Sequence, residues 1–127
     1  MSLTEKHLLI VDDSTINIEL MFDFLDEYGF ENIHGINDPR EVLPHCQRQL
    51  PDLLLLDIRM PHLDGYAVIE QLSTYFAEQM PPIIVLTAQI DDVTRQRALT
   101  MGVRDFITKP FKQDEVLQRI RNTLNIE

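Results

Sequence analysis

Cysteine is nearly absent. Cys46 stands alone, which excludes an internal disulfide and any Cys-x-x-Cys metal or redox motif and leaves it the role of small core filler. No apolar run reaches the 18 residues of a membrane span, and no signal-peptide pattern opens the chain. The expected compartment is therefore the cytoplasm. Basic charge is scarce, 11 Lys and Arg against 21 Asp and Glu for a net charge of −10, and this argues against binding nucleic acid or anionic lipid, which need a basic face. Neither GxxxxGK[ST] nor GxGxxG occurs among the four glycines, so Gly65 is expected to serve a turn rather than a phosphate. His7, His34, His45 and His62 share no metal-ligand spacing and are expected at the surface or at strand edges.

What remains is a chain of 127 residues that fits one domain, residues 1–127, with room for an effector beyond Glu127 in a longer protein. Short apolar runs at His7 to Val11, Asn32 to Ile36, Leu53 to Leu56, Ile83 to Leu86 and Arg104 to Ile107 alternate with longer stretches of helical periodicity. The pattern predicts five strands and five helices. Ser14 caps the first helix, which carries Ile16, Leu20, Phe24 and Tyr28 on one face and stops at Gly29. Asp38-Pro39-Arg40-Glu41 opens a second helix that Pro44 makes short or kinked. Gly65 to Phe76, Asp91 to Met101 and Lys112 to Leu124 give the other three. Such an alternation makes an α/β domain, a parallel sheet covered by helices on both faces, with ligands at the carboxyl edge where strand order reverses.

The residues that end the strands are polar and chosen. Strand one ends in Asp12 and Asp13, strand three in Asp57, strand four in Thr87, and strand five runs into Thr108, Lys109 and Pro110. Each alone has a plain reading: Asp12 and Asp13 as helix caps, Thr87 as a strand residue, Lys109 as a solvated lysine. Asp57 resists one, because four leucines precede it and a buried unpaired carboxylate costs several kcal/mol. If strands one and three are neighbours, three carboxylates converge, and at an effective dielectric of about 20 two unit charges about 4 Å apart repel by roughly 4 kcal/mol. A cation is needed. An all-oxygen donor set suits Mg²⁺, with Mn²⁺ close behind. Lys109 and Thr87 would complete a site for a phosphoryl group, with Asp57 as nucleophile and an acyl phosphate as product.

In order along the chain, VDDS at 11–14, LLLLDIRMPHLDG at 53–65, VLTA at 85–88 and KPF at 109–111 resemble the receiver domain of two-component response regulators, including the free-standing chemotaxis type. The likeness runs nearly end to end. It implies a flavodoxin-like, doubly wound five-stranded sheet of order 2-1-3-4-5, and phosphorylation of Asp57 by the phosphohistidine of a sensor histidine kinase or phosphotransfer protein in a phosphorelay. It further implies that Asp13, Asp57 and the Arg59 backbone carbonyl ligate Mg²⁺, that Asp12 acts through metal-bound water, and that Thr87 and Lys109 bind phosphoryl oxygens. The Lys109–Pro110 bond is expected to be cis. Phosphorylation would draw Thr87 inward, let Phe106 move toward the core, and reshape the face of helix four, strand five and helix five for an effector.

Several positions depart from the common pattern. Phe106 replaces a frequent tyrosine, so its switch is expected to rest on packing alone. Arg59 and Gln89 would overhang the phosphoryl group and set its lifetime. Arg95 with Glu115, and Asp105 with Arg119, fall where dimerising receivers carry cross-subunit ion pairs, but Arg104 and Asn122 break that pattern; a phosphorylation-dependent homodimer is the expectation they leave. The tail EVLQRIRNTL resembles receivers followed by output modules, including cyclic-dinucleotide enzymes. The expected activity is self-catalysed phosphotransfer and dephosphorylation, not metabolic turnover. Two rivals stay open: a haloacid-dehalogenase-type phosphatase, which generally needs an acid where Arg59 stands, and a flavodoxin-like module binding FMN, for which three acids are a poor phosphate cradle.

Overall fold

The apolar runs form β1 His7–Val11, β2 Asn32–Ile36, β3 Leu53–Asp57, β4 Ile83–Thr87 and β5 Asp105–Thr108 in a computed structural model that describes residues 2–126. The expected limits at Met1 and Glu127 lie outside the described residues. All neighbours pair in parallel, in the order β2-β1-β3-β4-β5, as expected. β1, β3 and β4 are buried at every residue, because helices cover both sheet faces and leave no wet side. Side-chain alternation then sorts the apolar residues into two layers. Leu9, Val11, Leu54, Leu56 and Val85 pack under α2 Val42–Arg48, α3 Gly65–Phe76 and α4 Asp92–Thr100, whereas Leu8, Ile10, Leu55, Ile84 and Leu86 pack under α1 Thr15–Tyr28 and α5 Gln113–Leu124. Each such leucine or isoleucine contributes about 1.5–3 kcal/mol by leaving water.

The helix ends follow their side chains. Ser14, Asp64 and Asp91 each accept a hydrogen bond from an N–H of the turn they open, and Gly29 closes α1 at a φ of 121°. α4 and α5 start one residue later than the sequence pattern predicts because Asp91 and Lys112 are caps. The short second helix appears as a 3-10 turn, Pro39–Glu41, leading into α2 of seven residues. Pro44 lies in the first turn of α2, where a missing N–H costs little. The apolar stripe expected on α1 is not its core face: Ile16 is 74% exposed and Leu20 38%, while Met21 and Leu25 are fully buried. Phe24 and Tyr28 are half-buried beside them.

Cys46 is buried, and burial pushes its thiol up to about 11, consistent with core filling. His34, on edge strand β2, and His62 are exposed as expected, and His7 departs from expectation. His7 is only 3% exposed and its ring meets those of His34 and His45; their elements are far apart in sequence, so spacing along the chain could not reveal it. Burial lowers the pKa of both His7 and His45. His62 is exposed in the β3–α3 loop. No helix among the described residues is long and apolar enough to cross a membrane.

Candidate functional site

Strand register assembles the site at the carboxyl edge. Val11 pairs with Leu56, so the next residues, Asp12 and Asp57, emerge side by side. Thr87 pairs with Thr108 and its carbonyl accepts the Lys109 N–H at 2.8 Å, which sets Lys109 at the same edge; the Lys109–Pro110 peptide is cis. Asp12 and Asp57 are 0% and 3% exposed. Lys109 Nζ bridges them, 3.1 Å from Asp12 Oδ2 and 3.2 Å from Asp57 Oδ1. This is the cation that the four leucines of β3 demanded.

Asp12 is further held by the Ser14 N–H at 2.9 Å and the Asn17 amide at 3.3 Å. Among the described residues, Asp57 has besides the lysine only the Arg59 N–H, at 3.3 Å. Burial and then the charge of Asp12 push Asp57 up to about 6, against the pull of Lys109. Burial alone would lower Lys109, yet its bonds and charge contacts with Asp12 and Asp57 raise it. A carboxylate pushed up this way gains most from a second cation. Asp12, Asp13 and Asp57 each offer an oxygen within 4.8 Å of the others, with Asp13 on the solvent side. This all-carboxylate donor set can hold a hard divalent metal.

The other predicted residues surround this centre in unequal ways. Arg59 and Gln89 are exposed, and Arg59 contributes to the depressed pKa of Asp91, whose carboxylate chiefly accepts from Thr94. Thr87 is buried, but its hydroxyl donates to the Gln89 carbonyl at 3.0 Å and accepts the Gln89 N–H at 3.3 Å. It is thus tied to its own loop rather than to Asp57. Phe106 is 3% exposed, already inward, with the Arg95 guanidinium 4.9 Å from its ring centre. The expectation of packing alone is corrected: a cation–π contact, worth about 0.5–2 kcal/mol, adds to it. Asp105 and Arg119 pair within the chain at 3.6 Å, and Glu115 accepts both the N–H and the hydroxyl of Thr108. The pairs expected between subunits are thus engaged inside one.

Sequence reading missed Asn17 and the closeness of Gly65. Asn17 follows the Ser14 cap by three residues, a spacing that faces the strand end. A Cβ on Gly65 would lie 2.6 Å from the Asp57 carbonyl oxygen and 2.7 Å from Ile58 Cα. Glycine there lets α3 abut the strand that delivers Asp57.

The family model of the response regulator receiver domain matches residues 8–121. The chain belongs to this family. A receiver domain is the phosphoacceptor module of two-component signalling. Among relatives, the alkaline phosphatase synthesis transcriptional regulatory protein PhoP of Bacillus subtilis is 34% identical over 119 residues, which cover 94% of this chain and 48% of that protein. Regulatory protein VanRc of Enterococcus gallinarum is 30% identical over 123 residues, 96% of this chain and 51% of that one. The receiver domain thus spans about half the length of these relatives. The solved receiver domain of sensor histidine kinase PA1611 from Pseudomonas aeruginosa, with a magnesium ion coordinated in its active-site cleft, is 28% identical. It covers 94% of this chain and 98% of its own, with a TM-score of 0.83.

Proposed function

We propose that Asp57 is the phosphoacceptor of a two-component switch, phosphorylated from the phosphohistidine of a sensor histidine kinase or phosphotransfer protein. The observation that carries this reading is the pair of buried carboxylates, Asp12 and Asp57, bridged by Lys109 with Asp13 alongside. Asp13, Asp57 and the Arg59 backbone carbonyl would hold Mg²⁺ or Mn²⁺, with Asp12 acting through water, and the ion would supply charge neutralisation at the phosphoryl oxygens. A carboxylate oxygen of Asp57 attacks phosphorus as the P–N bond breaks, and the electron pair leaves with the imidazole. Lys109 shifts from its bridge to a phosphoryl oxygen, and Thr87 exchanges its Gln89 contacts for another. Arg59 and Gln89, exposed at the rim, set how readily water reaches the acyl phosphate.

Release of the Thr87 loop is transmitted through Phe106 and Arg95 to the face of α4, β5 and α5, where an effector domain or protein, or a second copy of the chain, reads it. The same reading makes the domain a cytoplasmic regulator with self-catalysed phosphotransfer and dephosphorylation only, not a metabolic enzyme. Arg59 supports it, since a cation stands where a phosphatase of the haloacid-dehalogenase type needs an acid. With acetyl phosphate and Mg²⁺, the protein should label once and decay, and Asp57→Asn should label at background. Full labelling of that variant, or steady turnover of many phosphomonoesters by the native chain, would overturn the assignment.

A further inference from the structure

At the sheet edge opposite the phosphoacceptor, three histidines from three elements meet. His7 opens β1, His34 lies in β2 and His45 in α2. Because Leu9 pairs with His34, and Leu9 and His7 are two residues apart, His7 and His34 project from one sheet face. Leu9 packs in the layer that α2 covers, which brings His45 down onto them. His7 Nε2 and His45 Nε2 are 3.0 Å apart. The ring centres form a triangle of 4.9, 5.2 and 5.5 Å.

Three imidazoles around one tetrahedral cation, each nitrogen about 2.0–2.1 Å from the metal, set their ring centres about 5 Å apart and their ligating nitrogens about 3.4 Å apart. The ring centres have that spacing, and of the nitrogens the His7–His45 pair has it. His7 is 3% exposed, and among the described residues its Nδ1 has no hydrogen-bond partner, a state that buried polar atoms rarely keep without a reason. Asp52 accepts the His7 backbone N–H at 2.8 Å, which brings a carboxylate beside the cluster to offset a cation's charge.

We propose that His7, His34 and His45 form a site for a late first-row divalent cation, with Zn²⁺ as the best match. Imidazole suits Zn²⁺, Ni²⁺ or Cu²⁺, whereas the carboxylates of the phosphoacceptor edge suit Mg²⁺, so one chain carries two sites of different chemistry. Asp12 lies five residue steps beyond His7, roughly 16 Å at strand rise, and no ligand is shared. His7 and His45 already present the bite of two nitrogens. His34 Nε2 lies 3.0 Å from Asn32 Oδ1 and turns from it to complete the set, with water in the fourth position. Binding would clamp β1, β2 and α2 together.

The test is calorimetric titration of the tag-free chain with Zn²⁺ in excess Mg²⁺, with the visible d–d absorption of bound Co²⁺ as a second readout. One equivalent of Zn²⁺ is expected, indifferent to the Mg²⁺ concentration, with a tetrahedral Co²⁺ band. His34 is exposed and His45 half-buried, so His34→Ala and His45→Ala should fold, as retained acetyl phosphate labelling would verify. Each should weaken Zn²⁺ binding at least tenfold and abolish the Co²⁺ band. No Zn²⁺ uptake, uptake competed by Mg²⁺, or uptake undiminished in the double variant would overturn the site.

Discussion

Asp57 illustrates how one side chain can be costly and useful for the same reason. Its carboxyl is pushed from 3.8 up to about 6, first by burial and then by Asp12. A folded-state pKa above the unfolded one means that the native state holds the extra proton, so without metal stability should fall as pH rises through the window from 3.8 to about 6. A shift of this size corresponds to about 1–3 kcal/mol. Asp57→Asn has no proton to lose and should flatten that part of the curve, making the metal-free variant more stable than the native chain at pH 7. Urea midpoints across the pH range would show it, and an unchanged slope would remove Asp57 as its source. Lys109→Ala tests the other half of the pair. Two buried carboxylates would lose their shared cation, so metal-free stability at pH 7 should drop by about 2–4 kcal/mol. Mg²⁺ should still bind, and phosphorylation should no longer change the environment of Phe106, read by ¹⁹F NMR of a fluorinated phenylalanine there.

At the scale of elements, α3 and β3 meet without a gap. The Gly65 N–H donates to the Ile58 carbonyl at 2.8 Å, and the atoms that a Cβ would strike are backbone, which cannot rotate away. Gly65→Ala should therefore cost about 1–3 kcal/mol and slow labelling by moving the Asp57 backbone. A normal labelling rate with a lowered urea midpoint would confine the effect to stability. What the sequence could and could not show is clear from such contacts. The strands were legible because fully buried ones read as unbroken apolar runs, and the strand-end residues stood out because polar groups after such runs need a reason. Pairing across elements was not. The α1 core face was not legible, because Ile16 and Leu20 share the helical period of Phe24 and Tyr28 yet stay exposed, while Met21 and Leu25 are buried. Asn17 on Asp12, Arg95 over Phe106 and the three meeting histidines depend on register and on the seating of helices, which periodicity does not encode.

For the whole molecule, the decisive property is that its acids are gathered where only the folded chain can use them. A metal that binds the native state alone stabilises it by mass action, about 1.4 kcal/mol at ten times its dissociation constant and about 2.7 at one hundred times. For a domain of 127 residues the smaller figure corresponds to a rise of about 5 °C in Tm. The pH dependence is fixed by Asp57. Above about 6 its carboxylate is ionised and repelled by Asp12, so a divalent cation relieves an existing strain; at pH 5 the carboxyl holds a proton that must first be displaced. Melting curves with and without Mg²⁺ should show a shift of about 5 °C at pH 7 and less than half of that at pH 5. In Asp57→Asn the two shifts should be equally small. A native shift that is the same at both pH values would mean that the cation sits on Asp12 and Asp13 and that Asp57 is not one of its ligands.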